Sequence, residues 1–186
     1  INETAIFDIR SVSGGRASES GSQQVSLTIT SEENAPTLTL SSSASSIAEN
    51  ASGTITLTAT LSGATYENVV ATLAFSGTAS SSTDYQVLTS IIIAAGETTG
   101  TVRLLPTAED VFEADETVIV DIDSVSGGGA TESGTQQETI TITNDDSAPT
   151  LTLTSSASSI SEDAGSSLSL TGTLTNATNA DVTVSL

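Results

Sequence analysis

The chain is 186 residues long and carries 23 Asp and Glu against three Arg, for a formal net charge of −20, with no Cys, His, Met or Trp. Those absences exclude disulfides, thiolate or imidazole metal sites, and the usual general bases and nucleophiles built on His, Lys or Cys. The charge opposes binding to nucleic-acid phosphates or an anionic membrane surface, and no apolar run approaches the ~20 residues of a membrane-spanning helix. An acidic, Cys-free sequence rich in Ser and Thr fits an extracellular or cell-surface protein, expected to be bacterial. A soluble acidic domain from any compartment is the plainer reading of the same composition.

Taken from its beginning, the chain first declares a repeat. Ser11–Leu40 matches Ser124–Leu153 at 20 of 30 positions without a gap. The offset, from Pro36 to Pro149, is 113 residues. It extends backward, where Asn2-Glu3-Thr4 aligns with Asp115-Glu116-Thr117, and forward, where Ser45–Glu49 aligns with Ser158–Glu162. A period of that length is domain-sized rather than solenoid-sized. The expected organisation is the C-terminal part of one repeat over residues 1–35, a complete repeat over 36–147, and the N-terminal part of the next over 148–186. The intact protein is expected to continue in both directions.

Within the complete repeat, apolar and polar residues alternate with period 2. Thr37–Leu40 opens the first strand directly after Pro36, a tolerated place for proline. Ser41–Ser46 is small and irregular and reads as a crossing between sheets. Thr54–Leu61 alternates cleanly, and Val69–Phe75, Gln86–Ile93, Thr98–Leu105, Thr117–Val125 and Glu138–Thr143 come after it, punctuated by glycines. Seven short strands with no credible helix predict an all-β, antiparallel sandwich with Greek-key connections. Strands that run alternately up and down collect every second connection at one end. That end gathers Glu49, Asp84, the segment Ala108–Glu116, and the exit Asn144-Asp145-Asp146.

Ala108–Glu116 puts five carboxylates into nine residues, split by Val111 and Phe112. Like charge at that density repels itself, and Arg10, Arg16 and Arg103 are the only basic residues available. A hard divalent cation held by oxygen ligands is the expected partner, Ca²⁺ before Mg²⁺, because Ca²⁺ accepts carboxylates from separate loops in flexible geometry. Asp115 and Glu116 read as solvated charges at a strand edge rather than as ligands.

These residues resemble the Calx-β family. The resemblance rests on Ile47-Ala48-Glu49-Asn50, Gly77-Thr78-Ala79 with Thr83-Asp84-Tyr85, and Ile93–Gly96 with Glu97-Thr98. It continues through Val111-Phe112-Glu113-Ala114-Asp115-Glu116 and Ile142-Thr143-Asn144-Asp145-Asp146. It implies an immunoglobulin-like, seven-stranded sandwich with a small Ca²⁺ cluster at one end. By matching position it implies the ligands Glu49, Asp84, Glu109, Glu113, Asp145 and Asp146, with Asp110 and Asn144 beside them. Three departures, Ala108, Glu109 and Asn144, stand where relatives often carry Asp, and imply fewer ions or weaker binding. In the flanking parts, Glu32 and Glu33 correspond to Asp145 and Asp146, and Glu162 to Glu49, so each part carries a portion of a site.

The functional expectation is a calcium-binding structural repeat that stiffens an extended adhesin stalk or surface filament. Its partners would be neighbouring repeats of the same protein, and identical chains if fibres form, with no nucleic acid and no membrane insertion. A glycan-binding module, or a calcium-sensing regulatory module of a larger membrane or surface protein, is the alternative. A glycosidase would need two carboxylates and an apolar pocket to separate their pKa values, so no catalytic residue is assigned.

Overall fold

A computed structural model of the chain describes every residue except Ile1, Ser31, Glu33, Asp163 and Ala164. The described residues form sixteen strands and no helix. The N-terminal flank contributes β1 (Glu3–Asp8) and β2 (Gln24–Ile29). The central span contributes β3 (Thr37–Ser42), β4 (Ser46–Ala48), β5 (Ile55–Leu61), β6 (Val69–Gly77), β7 (Tyr85–Gln86), β8 (Ser90–Ile93), β9 (Thr99–Pro106), β10 (Val111–Phe112), β11 (Glu116–Ser126), β12 (Thr131–Glu132) and β13 (Gln137–Thr143). The C-terminal flank contributes β14 (Leu151–Ser155), β15 (Leu170–Leu174) and β16 (Ala177–Thr178).

Two five-stranded sheets organise the central span, in the orders β4-β13-β11-β6-β8 and β12-β3-β5-β9-β7. The period-2 pattern explains which face each strand buries. Ile55, Leu57, Ala59 and Leu61 of β5 are buried on one side, and Val118, Val120 and Ile122 of β11 on another, while the residues between them stay partly open. Both inward faces feed one apolar core, and every residue of its buried cluster lies between Leu38 and Ile142. Leu, Ile, Val and Ala fill most of it, at roughly 1.5–3 kcal/mol for each fully buried larger aliphatic side chain. Among the described residues Tyr85 is the one buried aromatic, its ring centroid 6.2 Å from that of Phe75.

Two departures from a purely antiparallel seven-strand plan have local causes. The first strand switches sheets. β3 pairs antiparallel with β5, the serines after it turn the chain, and β4 then pairs in parallel with β13. Ser43 fixes that corner, its N–H donating to the Thr56 carbonyl at 2.9 Å and its hydroxyl accepting from the Thr56 N–H at 2.9 Å. The run Gln86–Ile93 is likewise divided: β7 pairs with β9 in one sheet and β8 with β6 in the other. With the two-residue β10 and β12, the latter parallel to β3, the span from Thr37 to Thr143 holds eleven strand segments.

The flanks repeat pairings seen in the centre. β1 and β2 pair Glu3 with Ile29, and β11 and β13 pair Glu116 with Ile142, the same contact moved by 113 residues. β14 and β15 pair Leu151 with Leu174, as β3 and β5 pair Leu38 with Leu61. Among the described residues no second sheet faces the flank strands, and Phe7 is 61 % exposed where its counterpart Val120 is 0 %. Among the described residues one strand pairing joins centre to flank: β10 runs parallel to β16, Val111 opposite Ala177 and Phe112 opposite Thr178.

Candidate metal centre

Four stretches distant in the chain meet at one end of the two sheets. Glu49 follows β4 directly; its N–H donates to the Thr143 carbonyl at 3.1 Å, which fixes the residue beside the exit of β13. Glu49 is 6 % exposed; its carboxylate accepts the Asp145 N–H at 3.3 Å, and the Asn50 amide donates to the Asp145 carboxylate. Asp84 sits in a tight turn in which its own carboxylate accepts the Ser80 N–H at 2.5 Å and its N–H donates to the Ser80 carbonyl at 3.0 Å. Gly77 launches that turn with φ +117°, and a Cβ there would lie 2.1 Å from the Thr117 carbonyl oxygen, so only glycine lets β6 pass the start of β11.

The acid loop is tied to the other two. Thr107 donates its N–H to the Asp84 carbonyl at 2.9 Å, and Glu113 donates its N–H to the Asn144 side-chain oxygen at 3.3 Å. Asn144 in turn donates its N–H to the Asp115 carboxylate at 3.0 Å and its amide to the Asp146 carbonyl at 3.0 Å. Asp115 and Asn144 therefore act as braces between the loop and the β13 exit.

The space enclosed is small. It is lined by Glu49, Asp84, Thr107, Glu109, Glu113, Ala114, Glu116, Ile142 and Asn144, and leaves about 10 Å³ for the centre of a water-sized sphere. That is room for one ion or water, not for an organic ligand. Asp84, Glu113 and Glu116 each bring a carboxylate oxygen within 4.8 Å of the other two. Asp146 Oδ2 and Thr107 Oγ1 are buried without a hydrogen-bond partner.

The electrostatics reflect that crowding. Burial first, then the hydrogen bond and charge of Asp84, then the charges of Glu113 and Glu109, push the Glu116 carboxyl up to about 7. Burial, then Glu113, Asp84 and Asp146, raises Glu109. Glu49 is raised by burial, against the lowering effect of the Asp145 N–H, with the Asp145 and Asp146 carboxylates adding to the rise. All three shifts combine burial with the charge of neighbouring carboxylates, both of which disfavour the ionised form.

The sequence-derived set is thus largely assembled. Glu49, Asp84, Glu109, Glu113 and Asn144 line the cavity, Asp145 contacts Glu49, and Asp146 turns an unsatisfied oxygen into the protein. Asp110 is exposed and does not line it. Glu32 and Glu162 are exposed in the flanks, and Glu33 lies outside the described residues. Glu116 lines the cavity, contrary to its reading as a solvated edge charge. The signal was present in strand parity, since Glu116 shares the inward face of Val118, Val120 and Ile122.

The donor set fits a hard cation. It offers oxygen only, mostly carboxylate, from separate segments of the chain, and Ca²⁺ takes 6–8 oxygens at about 2.3–2.6 Å.

The protein-family model of the LapA domain matches residues 34–147. The chain belongs to the LapA domain family. The matched span contains both five-stranded sheets and all eight carboxylate and amide residues expected at the metal centre. No curated protein sequence matches the chain. Among solved structures, CBD12 from CALX1.2 is similar over 59 % of this chain and 44 % of its own, at 21 % identity and a TM-score of 0.50. The apo-form Calx CBD1 domain is similar over 59 % of this chain and 99 % of its own, at 21 % identity and a TM-score of 0.48. The calcium binding domain CBD12 of CALX1.1 is similar over 54 % and 41 %, at 23 % identity and a TM-score of 0.46. The likeness to CBD12 from CALX1.2 shows a Calx-β fold over 59 % of the chain.

Proposed function

We propose that the LapA span binds Ca²⁺ at the end where Glu49, Asp84, Glu109, Glu113, Glu116 and the Asn144–Asp146 exit converge. The observation that carries this is the trio Asp84, Glu113 and Glu116, brought within 4.8 Å of one another while Glu116 is pushed up to about 7. An arrangement so costly without a cation is relieved by one, and a bound divalent ion reverses the local preference for protonation. Asp145 and Asp146 supply further oxygens, and Asp110 stays in the solvent-facing part of the loop.

The function this serves is structural: a calcium-binding unit that stiffens an extended, extracellular, bacterial adhesin stalk or surface filament. Membership of the adhesin-related LapA family supports it, as does the 113-residue self-similarity, which the flanking strand registers repeat. The partners are neighbouring repeats of the same protein, and the domains run as 1–35, 36–147 and 148–186. The acid-lined cavity itself has room for one ion or water and gives no support to glycan recognition. The Calx-β fold favours calcium sensing within a larger protein as a second reading. Small-angle scattering on the chain with Ca²⁺ and with chelator separates them. A stalk element becomes more extended and less variable with Ca²⁺, whereas unchanged maximum dimension alongside measurable Ca²⁺ binding speaks for sensing elsewhere.

A further inference from the structure

Two surfaces in the flanks correspond, at the 113-residue offset, to surfaces that close on each other inside the central span. There the early and late strands meet along two parallel pairings, β4 with β13 (Ile47 opposite Ile142) and β3 with β12 (Thr37 opposite Thr131). The Thr131 N–H donates to the Pro36 carbonyl at 3.1 Å, and the Ser133 N–H to the Leu38 carbonyl at 2.9 Å. The Leu40 N–H donates to the Gln136 side-chain oxygen at 3.3 Å. Behind this seam the apolar faces of β3 and β5 join those of β11 and β13 in one core.

The flanks hold the same residues on each side of that seam. In the C-terminal flank Pro149, Leu151, Leu153 and Ile160 stand where the centre has Pro36, Leu38, Leu40 and Ile47. In the N-terminal flank Ser20, Gln23 and Ile29 stand where it has Ser133, Gln136 and Ile142. The local geometry is repeated too. Gln136 donates its N–H to the Glu132 carboxylate at 2.6 Å and its amide to the Ser133 carbonyl at 2.6 Å. Gln23 does the same with Glu19 at 2.5 Å and Ser20 at 2.6 Å, so the bracket that receives Leu40 in the centre is already built in the flank.

Among the described residues each flank sheet has only two strands, and β1-β2 and β14-β15 do not pair with each other. A lone two-stranded hairpin is marginal in water. Phe7 and Leu27 on one, and Leu151, Leu153 and Leu170 on the other, are exposed. Charge opposes contact least at the flanks: five acids and two Arg leave −3 over residues 1–35, and three acids leave −3 over 148–186, out of −20. The flanks also leave the central span from different places, Pro36 beside Thr131 and Thr143 beside Glu49, which favours closure between copies over closure within one.

We propose that the C-terminal flank of one copy closes on the N-terminal flank of a second copy of this chain. Residues 149–153 and Ile160 of the first lie along residues 18–20 and β2 of the second, as β3 and β4 lie along β12 and β13. The contact is heterologous, since each copy offers both surfaces, and copies add end to end. It uses no residue of the metal centre and does not depend on a cation.

Sedimentation of the full chain in chelator, over a concentration series, is expected to show a mass rising past twice the 18.6 kDa of one chain. Phe7→Asp and Leu153→Asp each remove one surface and lie outside the central core. Either variant alone is expected to stay monomeric, whereas an equimolar mixture forms a dimer and stops there. Register is read with cysteine, which the chain lacks. Ile29→Cys in one copy and Ile160→Cys in another stand opposite as Ile142 and Ile47 do, on strands about 4.8 Å apart, within the Cα range a disulfide spans. The mixed disulfide is expected to exceed both homodimers well beyond a statistical mixture. An unaltered chain that stays monomeric up to millimolar concentration, a Leu153→Asp chain that associates as the unaltered one does, or a statistical mixture of disulfides overturns the proposal.

Discussion

Glu116 decides the character of the metal centre. It stands where β11 begins, on the strand's inward face, and meets Asp84 across the cavity. Its folded value of about 7 lies above the ordinary 4.5, so without cation the stability it contributes is fully present below pH 4.5 and is lost as pH rises through about 7. Calorimetric melts in chelator should therefore show the transition temperature falling between pH 5 and 8. In Ca²⁺ the trend should weaken or invert, because the ion needs the ionised form. Glu116→Gln keeps the shape and removes the charge. It should raise the cation-free melting temperature by about 2–4 °C and weaken Ca²⁺ binding by roughly tenfold or more; a purely solvated Glu116 would move neither. Legibility at this scale was mixed. Glu49, Asp84, Glu109 and Glu113 declare themselves as acids at loops that topology must bring together. Glu116 does so only if strand parity outweighs its place at a strand edge, and Asp110 shows that density in sequence does not ensure an inward aim.

At the scale of elements, the alternating strands were readable because each buries one face against a single core. The sheet switch near Ser43 was readable too, since a run of serines interrupts an otherwise apolar alternation. The short segments β4, β7, β10 and β12 were not, because a strand of two or three residues is defined by a partner far away in sequence rather than by its own composition. Two substitutions test the frame that carries the metal centre. Leu57→Ala, at a residue with no exposure, should cost about 2–5 kcal/mol in urea denaturation. Gly77→Ala should cost about 2 kcal/mol or more, since the Cβ collides with the Thr117 carbonyl at a positive φ. It should also weaken Ca²⁺ binding, because the same collision pushes the Asp84 turn away from the start of β11, whereas Leu57→Ala should leave affinity near its original value.

For the whole molecule, the organising fact is that one end of the LapA span carries both the acids and the contact with the C-terminal flank. A net charge of −20 sets a long-range repulsion that a single ion does not cancel, so added salt and added Ca²⁺ act differently. Salt should compact the chain gradually. Ca²⁺ should act at a sharp stoichiometric point and persist at high ionic strength. The exposed apolar faces of the two flanks belong to the same picture: Phe7, Val25 and Leu153 occupy positions patterned for burial, yet no opposing sheet among the described residues covers them.

The most direct test is isothermal titration of the chain with Ca²⁺, repeated with Mg²⁺ and with Glu116→Gln. The account predicts saturable Ca²⁺ binding of at least one ion per chain, a much weaker response to Mg²⁺, and a clear loss of affinity in the variant. Absence of saturable heat up to millimolar Ca²⁺, or an unaltered isotherm when Glu116 is neutralised, would contradict it.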